Sequence, residues 1–402
     1  MAYPRRAVPS GIESSAGAGD VFVLCGIPAP ADGVTRPAPT QEPLPAPRFP
    51  WFDDSMSKAR VAIFRGVDLG FELEERALPE PGPGEALVEI EWATICGSDL
   101  HSIRGRREVP VPSVLGHEAV GRVVAVGEGR NPTWLGRRVT WTLADSCGTC
   151  PACTRWRLPQ KCGSLFKYGH APIDSGSGLN GCYASHILLR AGTPWVEVPA
   201  GLEPVVAAPV NCALATMVAA VGGLPRPGEL AVVQGAGLLG IYSTALLREA
   251  GWKRVLVVDR NPQRLARVAA FGGEPVEAGS ASRMGGGVAD VVIEVAGDPS
   301  AVPDAIRWLR PGGHYELVGM VHPDSRMDLT AETLIRKCLT LHGTHNYAPS
   351  HLEQAVRFLA AHRESFPWHS LFSPVLPLES LGEAMSLAES GRWCRVVVAP
   401  GA

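Results

Sequence analysis

"LAVVQGAGLLGIYSTALLREAG", residues 230–251, decides the fold. Its first five residues form a short apolar run of strand length, and from Leu238 the apolar residues recur at helical spacing until Gly251. Between the two segments lie Gly235, Gly237 and Gly240 in a G-x-G-x-x-G spacing. Alone, such a pattern is no more than a glycine turn. Set between a strand and a helix, it has a physical reading: the glycines let the backbone approach a pyrophosphate, whose charge the helix N-terminus attracts. "RVLVVD" at 254–259 supplies the next strand, and Asp259 ends it 19 residues beyond Gly240. An acid there accepts hydrogen bonds from an adenosine ribose and repels a 2′-phosphate, which favours NAD over NADP. Arg260 and Arg264 are close enough in sequence to keep NADP open.

The same rhythm continues outward. A helix is expected over "NPQRLARVAAFGG" (261–273), with Pro262 near its first turn, then a strand in "DVVIEVAG" (290–297) and a helix around "AVPDAIRWLRPGG" (301–313). Strands follow in "HYELVG" (314–319) and "LTLHGT" (339–344). Alternating strands and helices predict an α/β, doubly wound parallel sheet over 213–345. Residues 58–212 instead read as short strands such as "ALVEIEWA" (86–93) and "GRVVAVG" (121–127) between Gly and Pro turns, a β-rich domain. A helix near "SHLEQAVRFLAAH" and the terminal strand "CRVVVAP" are expected to complete that first domain from 346–402. The first 55 residues hold 10 of the chain's 36 prolines and show no periodicity. Residues 1–57 are therefore expected to be a disordered leader, with Met56 a candidate natural start.

The 402-residue length predicts two domains. Forty acidic and 37 basic residues leave a net charge of −3 without a long basic block, which argues against nucleic acid or a lipid surface as partner. No apolar run approaches a membrane span, and "VFVLCGIPAP" (21–30) is broken by proline. Four of the ten cysteines crowd into sixteen residues, a pattern of metal binding more than of a disulfide scaffold, and a cytoplasmic location is expected.

Those four are Cys147, Cys150, Cys153 and Cys162 in "CGTCPACTRWRLPQKC". Four thiolates can close a tetrahedral shell and leave no open position, so a structural zinc is expected; two disulfides or free thiols are the alternative. A second set is scattered: Cys96 in "ICGSDLH", His117 with Glu118 in "LGHEAV", and Cys212 in "PVNCALAT". A lone histidine in apolar company is more often a hydrogen-bonded core residue. With two cysteines it leaves a fourth position for water or a substrate oxygen, as a catalytic zinc requires.

Through "CGSDLH", "GHEAVGRVVAVG", the four-cysteine loop and "GAGLLG", the chain resembles the zinc-dependent medium-chain alcohol dehydrogenase family over 58–402. The resemblance implies a GroES-like catalytic domain, a Rossmann domain, and zinc-assisted hydride transfer between an alcohol or aldehyde and NAD(P). It implies that Cys96, His117 and Cys212 hold the catalytic zinc, with Glu118 able to tune or briefly enter the coordination shell. Ser98 matches the hydroxyl that contacts the substrate alcohol, His101 the end of a proton relay, and Thr216 a position near the nicotinamide. Asp99 is expected to orient His117 through its far ring nitrogen. Two departures stand out. Eight residues separate Cys153 from Cys162 where members commonly have seven, so a bulge is expected there. Many polyol-oxidising relatives carry a glutamate near the position of Cys212.

"LPQKC", "KYGH", "APVNCALAT" and "HNYAPSHLEQAVRFLA" resemble a narrower subgroup, the phosphonate-catabolism-associated alcohol dehydrogenases. That implies a hydroxyalkylphosphonate or matching aldehyde as substrate, with Lys167, Tyr168, His170, His345 and Asn346 as candidate contacts to the anion. The alternatives are a polyol, cyclitol or amino-sugar dehydrogenase, a zinc-free quinone reductase, and a noncatalytic NAD-binding protein. Family members are often homodimers or homotetramers.

Overall fold

Leu230–Gln234 is buried along its whole length, because β-branched and apolar side chains fill both faces of a central strand. The computed structural model describes residues 58–281 and 283–401; the expected leader at 1–57, with its candidate start at Met56, lies outside them. Around 230–234 runs an all-parallel six-stranded sheet in the order 274–277, 254–259, 230–234, 289–294, 309–317, 340–343. The order reverses between 230–234 and 289–294, and ligands of such sheets bind in the crevice beyond the carboxyl ends of those strands. Gly235 sits there at φ 111°, and a Cβ on Gly240 would fall 1.8 Å from the Gly235 carbonyl oxygen. Only glycine at 240 lets the helix Leu238–Glu249 start so close to the strand.

Two expected elements differ from the structure. The helix expected over 261–273 is an α-turn at Pro262–Leu265 followed by a 3-10 turn at Val268–Phe271. Gly272 closes it at φ 82°, and the Phe271 ring is fixed against Phe366 and Trp368, at centroid distances of 5.7 and 5.2 Å. Tightening of a last turn ahead of a left-handed glycine is the usual way to satisfy terminal carbonyls. The helix near 301–313 spans only Val302–Trp308, and the next strand already begins at Leu309, opposite Ala289. Pro311, Gly312 and Gly313 cannot extend a helix, whereas a bulged strand accepts them.

The second large sheet has seven strands, in the order 195–197, 138–141, 118–126, 86–94, 395–399, 372–377, with 186–189 also paired to 86–94. Its C-terminal strand Arg395–Ala399 lies antiparallel to Ala86–Thr94, with Val397 opposite Thr94 and Val398 opposite Ala93. That pairing carries Arg395 into the site described next. The helix Ala213–Gly222 is rich in alanine, which allows close packing on Leu238–Glu249 and on Pro349–Ala361. One apolar core links these three helices with Trp252 and Phe271, and each large side chain so buried contributes about 1.5–3 kcal/mol. Among the described residues no single helix is long and apolar enough to cross a membrane.

Candidate metal centres and nucleotide cleft

Cys96 caps the short helix Gly97–Ile103, and its N–H donates to Asp99 Oδ2 at 2.9 Å. His117 immediately precedes the strand Glu118–Val126, while Cys212 begins the helix Ala213–Gly222. Three separate elements thus deliver the scattered residues to one point. The donor atoms of Cys96, His117, Glu118 and Cys212 all lie within 4.8 Å of one another. Asn211 fixes the neighbouring backbone by donating to the His117 and Trp141 carbonyls, each at 3.0 Å.

The electrostatics suit a cation. Burial alone would depress the His117 pKa, yet Asp99 and Cys96 raise it to about 10. The Cys212 thiol, opposed by burial and assisted by Arg395, holds Cys96 well below the usual thiol range, while Cys96 pushes Cys212 up. A largely buried site that still favours positive charge has donors in excess of their own counter-charges. Asp99 Oδ1 lies 3.3 Å from His117 Nδ1, near enough for a charge contact although Nδ1 has no aligned hydrogen-bond partner. Tyr183 donates to the other Asp99 oxygen at 2.9 Å. This places a carboxylate behind the ring and leaves Nε2 facing Ser98 Oγ, 3.4 Å away. These donors fit a zinc ion with one position left for a small oxygen ligand.

Glu118, expected beside the metal where it could tune or briefly enter the coordination shell, lies in this donor group and is fully buried in a two-point contact with Arg395: Nε donates to Oε2 at 2.7 Å and Nη2 to Oε1 at 2.9 Å. Thr94 Oγ1 also donates to Oε2 at 2.7 Å, and Arg395 Nη2 reaches Cys96 Sγ at 3.6 Å. Sequence reasoning missed Arg395, Thr94 and Tyr183. The one available signal was an arginine at the head of "RVVVA", an otherwise apolar, fully buried strand.

The four-cysteine loop brings its sulfurs to 3.4 Å (Cys147 to Cys162), 3.6 Å (Cys150 to Cys153) and 3.8 Å (Cys150 to Cys162). A tetrahedron of zinc–sulfur bonds has edges of about 3.8 Å, whereas a disulfide brings its sulfurs to about 2.05 Å. Backbone N–H groups of Cys147 and Cys150 point at Cys162 Sγ and Cys147 Sγ, both at 3.3 Å. Such bonds, led by that from Thr149, draw the Cys147 thiol down to about 6. Between Cys153 and Cys162, Arg157 adopts φ 56° and a 3-10 turn spans Pro159–Lys161. Cys150→Ser is expected to lose one zinc per chain and expose the loop to proteases. Metal analysis and limited proteolysis check this, and retention of both zinc and resistance would count against a structural ion.

In the nucleotide cleft, Gly237 caps a helix of twelve residues with no side-chain cap, and a Cβ there would meet nothing within 4 Å. The opening and the free N–H groups fit a pyrophosphate. Asp259 accepts from the Ala236 and Asn261 N–H groups, both at 2.7 Å, so it orders the glycine turn. Arg260 is mostly exposed and lies 3.3 Å from Asp298. Thr216 is buried one helical turn beyond Cys212. His101 is half-buried on the same short helix as Ser98, and the two share no hydrogen bond.

Of the residues considered for an anion, Tyr168 turns away. Its hydroxyl bonds Thr193 Oγ1 at 2.7 Å and accepts from Arg190 N at 2.9 Å within the core. Asn346 adopts φ 58° and lines a small cavity with Gln160 and Tyr347, its Nδ2 buried without a partner. The His170 ring lies tilted against the His117 ring, centroids 5.1 Å apart, and burial holds its pKa well below the ordinary value. Arg107 and Lys161 lie close enough to add to the burial that lowers the Lys167 pKa, the same two and Lys167 do so at His345, and Lys161 Nζ contacts His345 Nδ1.

Two family models match: Alcohol dehydrogenase GroES-like domain over residues 82–200, and Zinc-binding dehydrogenase over 239–361. The chain is 26% identical over 367 residues to a 5-exo-hydroxycamphor dehydrogenase of Pseudomonas putida, covering 85% of this chain and 99% of that one. It is 27% identical over 357 residues to an L-threonine 3-dehydrogenase of Xanthomonas euvesicatoria pv. vesicatoria, covering 84% and 99%. An alcohol dehydrogenase from Thermotoga maritima superposes with a TM-score of 0.78 at 29% identity, over 85% of this chain and 99% of that one.

Proposed function

The chain belongs to the zinc-type medium-chain alcohol dehydrogenase family and is an oxidoreductase, and on that premise we propose that it interconverts a small alcohol bearing an anionic group and its carbonyl product, with NAD(P) as hydride partner. When bound, zinc supplies a Lewis acid that lowers the alcohol's pKa, and the nicotinamide takes or gives the hydride. Cys96, His117 and Cys212 would hold the metal, and the Gly235–Gly240 turn would seat the pyrophosphate of the dinucleotide. Ser98 stands beside the metal donors as the hydroxyl that accepts the alcohol proton. His101, its pKa lowered first by burial and then by Arg106, is neutral and can accept that proton for release to solvent. Because Ser98 and His101 do not touch, a bridging hydroxyl or water must complete the path.

The anionic substrate rests on the cluster next to the metal donors. Among the described residues Arg107, Lys161 and Lys167 have no carboxylate partner, although they lie near one another and Lys167 feels both Cys96 and Cys212. Like charges gathered near one another repel, and an anion in their midst removes that cost. A hydroxyalkylphosphonate has the required charge. Loss of one charged contact costs about 1.5–3 kcal/mol, so Lys167→Gln should raise KM for 2-hydroxyethylphosphonate roughly 10- to 100-fold and leave KM for propanol almost unchanged. Burial lowers the Lys167 pKa to about 8, so its charge is lost as pH rises through that value and KM for the phosphonate should climb there. Steady-state kinetics with both alcohols is the test; equal preference in the unaltered protein, or equal KM changes in the variant, would remove the anionic reading.

A further inference from the structure

A third group of metal-type donors lies in the parallel sheet and belongs to neither zinc centre. His314 and Glu316 are two residues apart on the strand Leu309–Leu317, so their side chains leave the same sheet face. The register pairs Glu316 with His342 on the adjacent strand, Thr340–Gly343, which is last in the sheet order. His314 Nε2 and His342 Nδ1 both reach Glu316 Oε2 at 2.9 Å. Thr344 Oγ1 donates to Oε1 at 2.6 Å and so fixes the carboxylate's orientation.

The Glu316 carboxylate is completely buried, and among the described residues its only basic partners are the two imidazoles. Burying a carboxylate without a lysine or arginine is costly unless another positive charge serves. Donor atoms about 3 Å apart suit a divalent ion bound about 2.0–2.2 Å from imidazole nitrogen and carboxylate oxygen. The His342 side chain is 54% exposed, which provides an entry path and room for water to complete the coordination. Two imidazoles and one carboxylate without a thiolate match zinc and similar borderline divalent ions. We propose that His314, Glu316 and His342 form a third divalent-metal site that pins the edge strand 340–343 to its neighbour.

The full-length protein and its His342→Ala and Glu316→Gln variants would be equilibrated with excess zinc, freed of unbound metal, and compared for zinc per chain. Each variant is expected to hold one ion fewer than the unaltered protein, with both cysteine-containing sites still filled. His342 is exposed, so its removal leaves the core intact and circular dichroism should not change. Added zinc should raise the thermal midpoint of the unaltered protein and not that of His342→Ala. The same zinc content in His342→Ala and the unaltered protein would overturn the assignment.

Discussion

Cys96→Ala is expected to lower kcat/KM for alcohol oxidation by at least about a thousandfold, because a catalytic metal contributes several kcal/mol and each 1.36 kcal/mol is a factor of ten. The sulfur is removed from a buried centre whose other donors cannot replace it. Glu118 is held by Arg395 and Thr94, and His170 is turned toward the Tyr168 carbonyl at 3.0 Å. Bound zinc should therefore drop by one per chain while the four-cysteine loop keeps its ion. Metal analysis separates this outcome from misfolding, which would empty both sites. Nearly full activity in Cys96→Ala would rule out the zinc-assisted reaction and revive the zinc-free quinone reductase reading. Loss of activity with unchanged zinc would place Cys96 outside the metal shell.

The parts of this site that were legible in the sequence are those carried by short spacings. Gly235, Gly237 and Gly240 announce a turn between a strand and a helix, and the intervals among Cys147, Cys150 and Cys153 announce a loop that folds onto one ion. Cys96, His117 and Cys212 have no such local logic; a family resemblance linked them, and three elements bring them together. Arg395 was invisible for a stronger reason. It lies 277 residues from Glu118, and only the pairing of the terminal strand with Ala86–Thr94 brings the two together. The third donor group shows the same limit, since His314 and Glu316 alternate openly in "HYE" but His342 joins them only through strand register. Tyr168 failed in the opposite sense: a polar residue beside Lys167 in sequence is buried in the core and bonded to Thr193. The broken helix at 262–271 reflects tertiary packing of Phe271, which overrides helical periodicity.

Arg395→Met should destabilise the protein by about 3–5 kcal/mol, the cost of leaving a buried charge without its partner. Glu118 is 0% exposed and Arg395 7%, so water cannot compensate for the lost guanidinium. Burial already pushes the Glu118 carboxyl up to about 7 against the lowering effect of Arg395. Without the arginine the carboxylate form is less favourable still. Thr94 Oγ1 remains at 2.7 Å, but one hydroxyl donor replaces neither the charge nor the two-point geometry. The double variant Glu118→Gln with Arg395→Met separates charge from packing, because the amide needs no counter-ion and retains the hydrogen bond from Thr94. Chemical denaturation should show that it regains a large part of the loss. If single and double variants were equally unstable, Arg395 would be holding the terminal strand by its packing and its bond to the Cys394 carbonyl at 3.0 Å, and Glu118 would owe it little. Recovery would instead identify the pair as the means by which the last strand of the chain closes over the metal donors, with Arg395 Nη2 also reaching Cys96 Sγ.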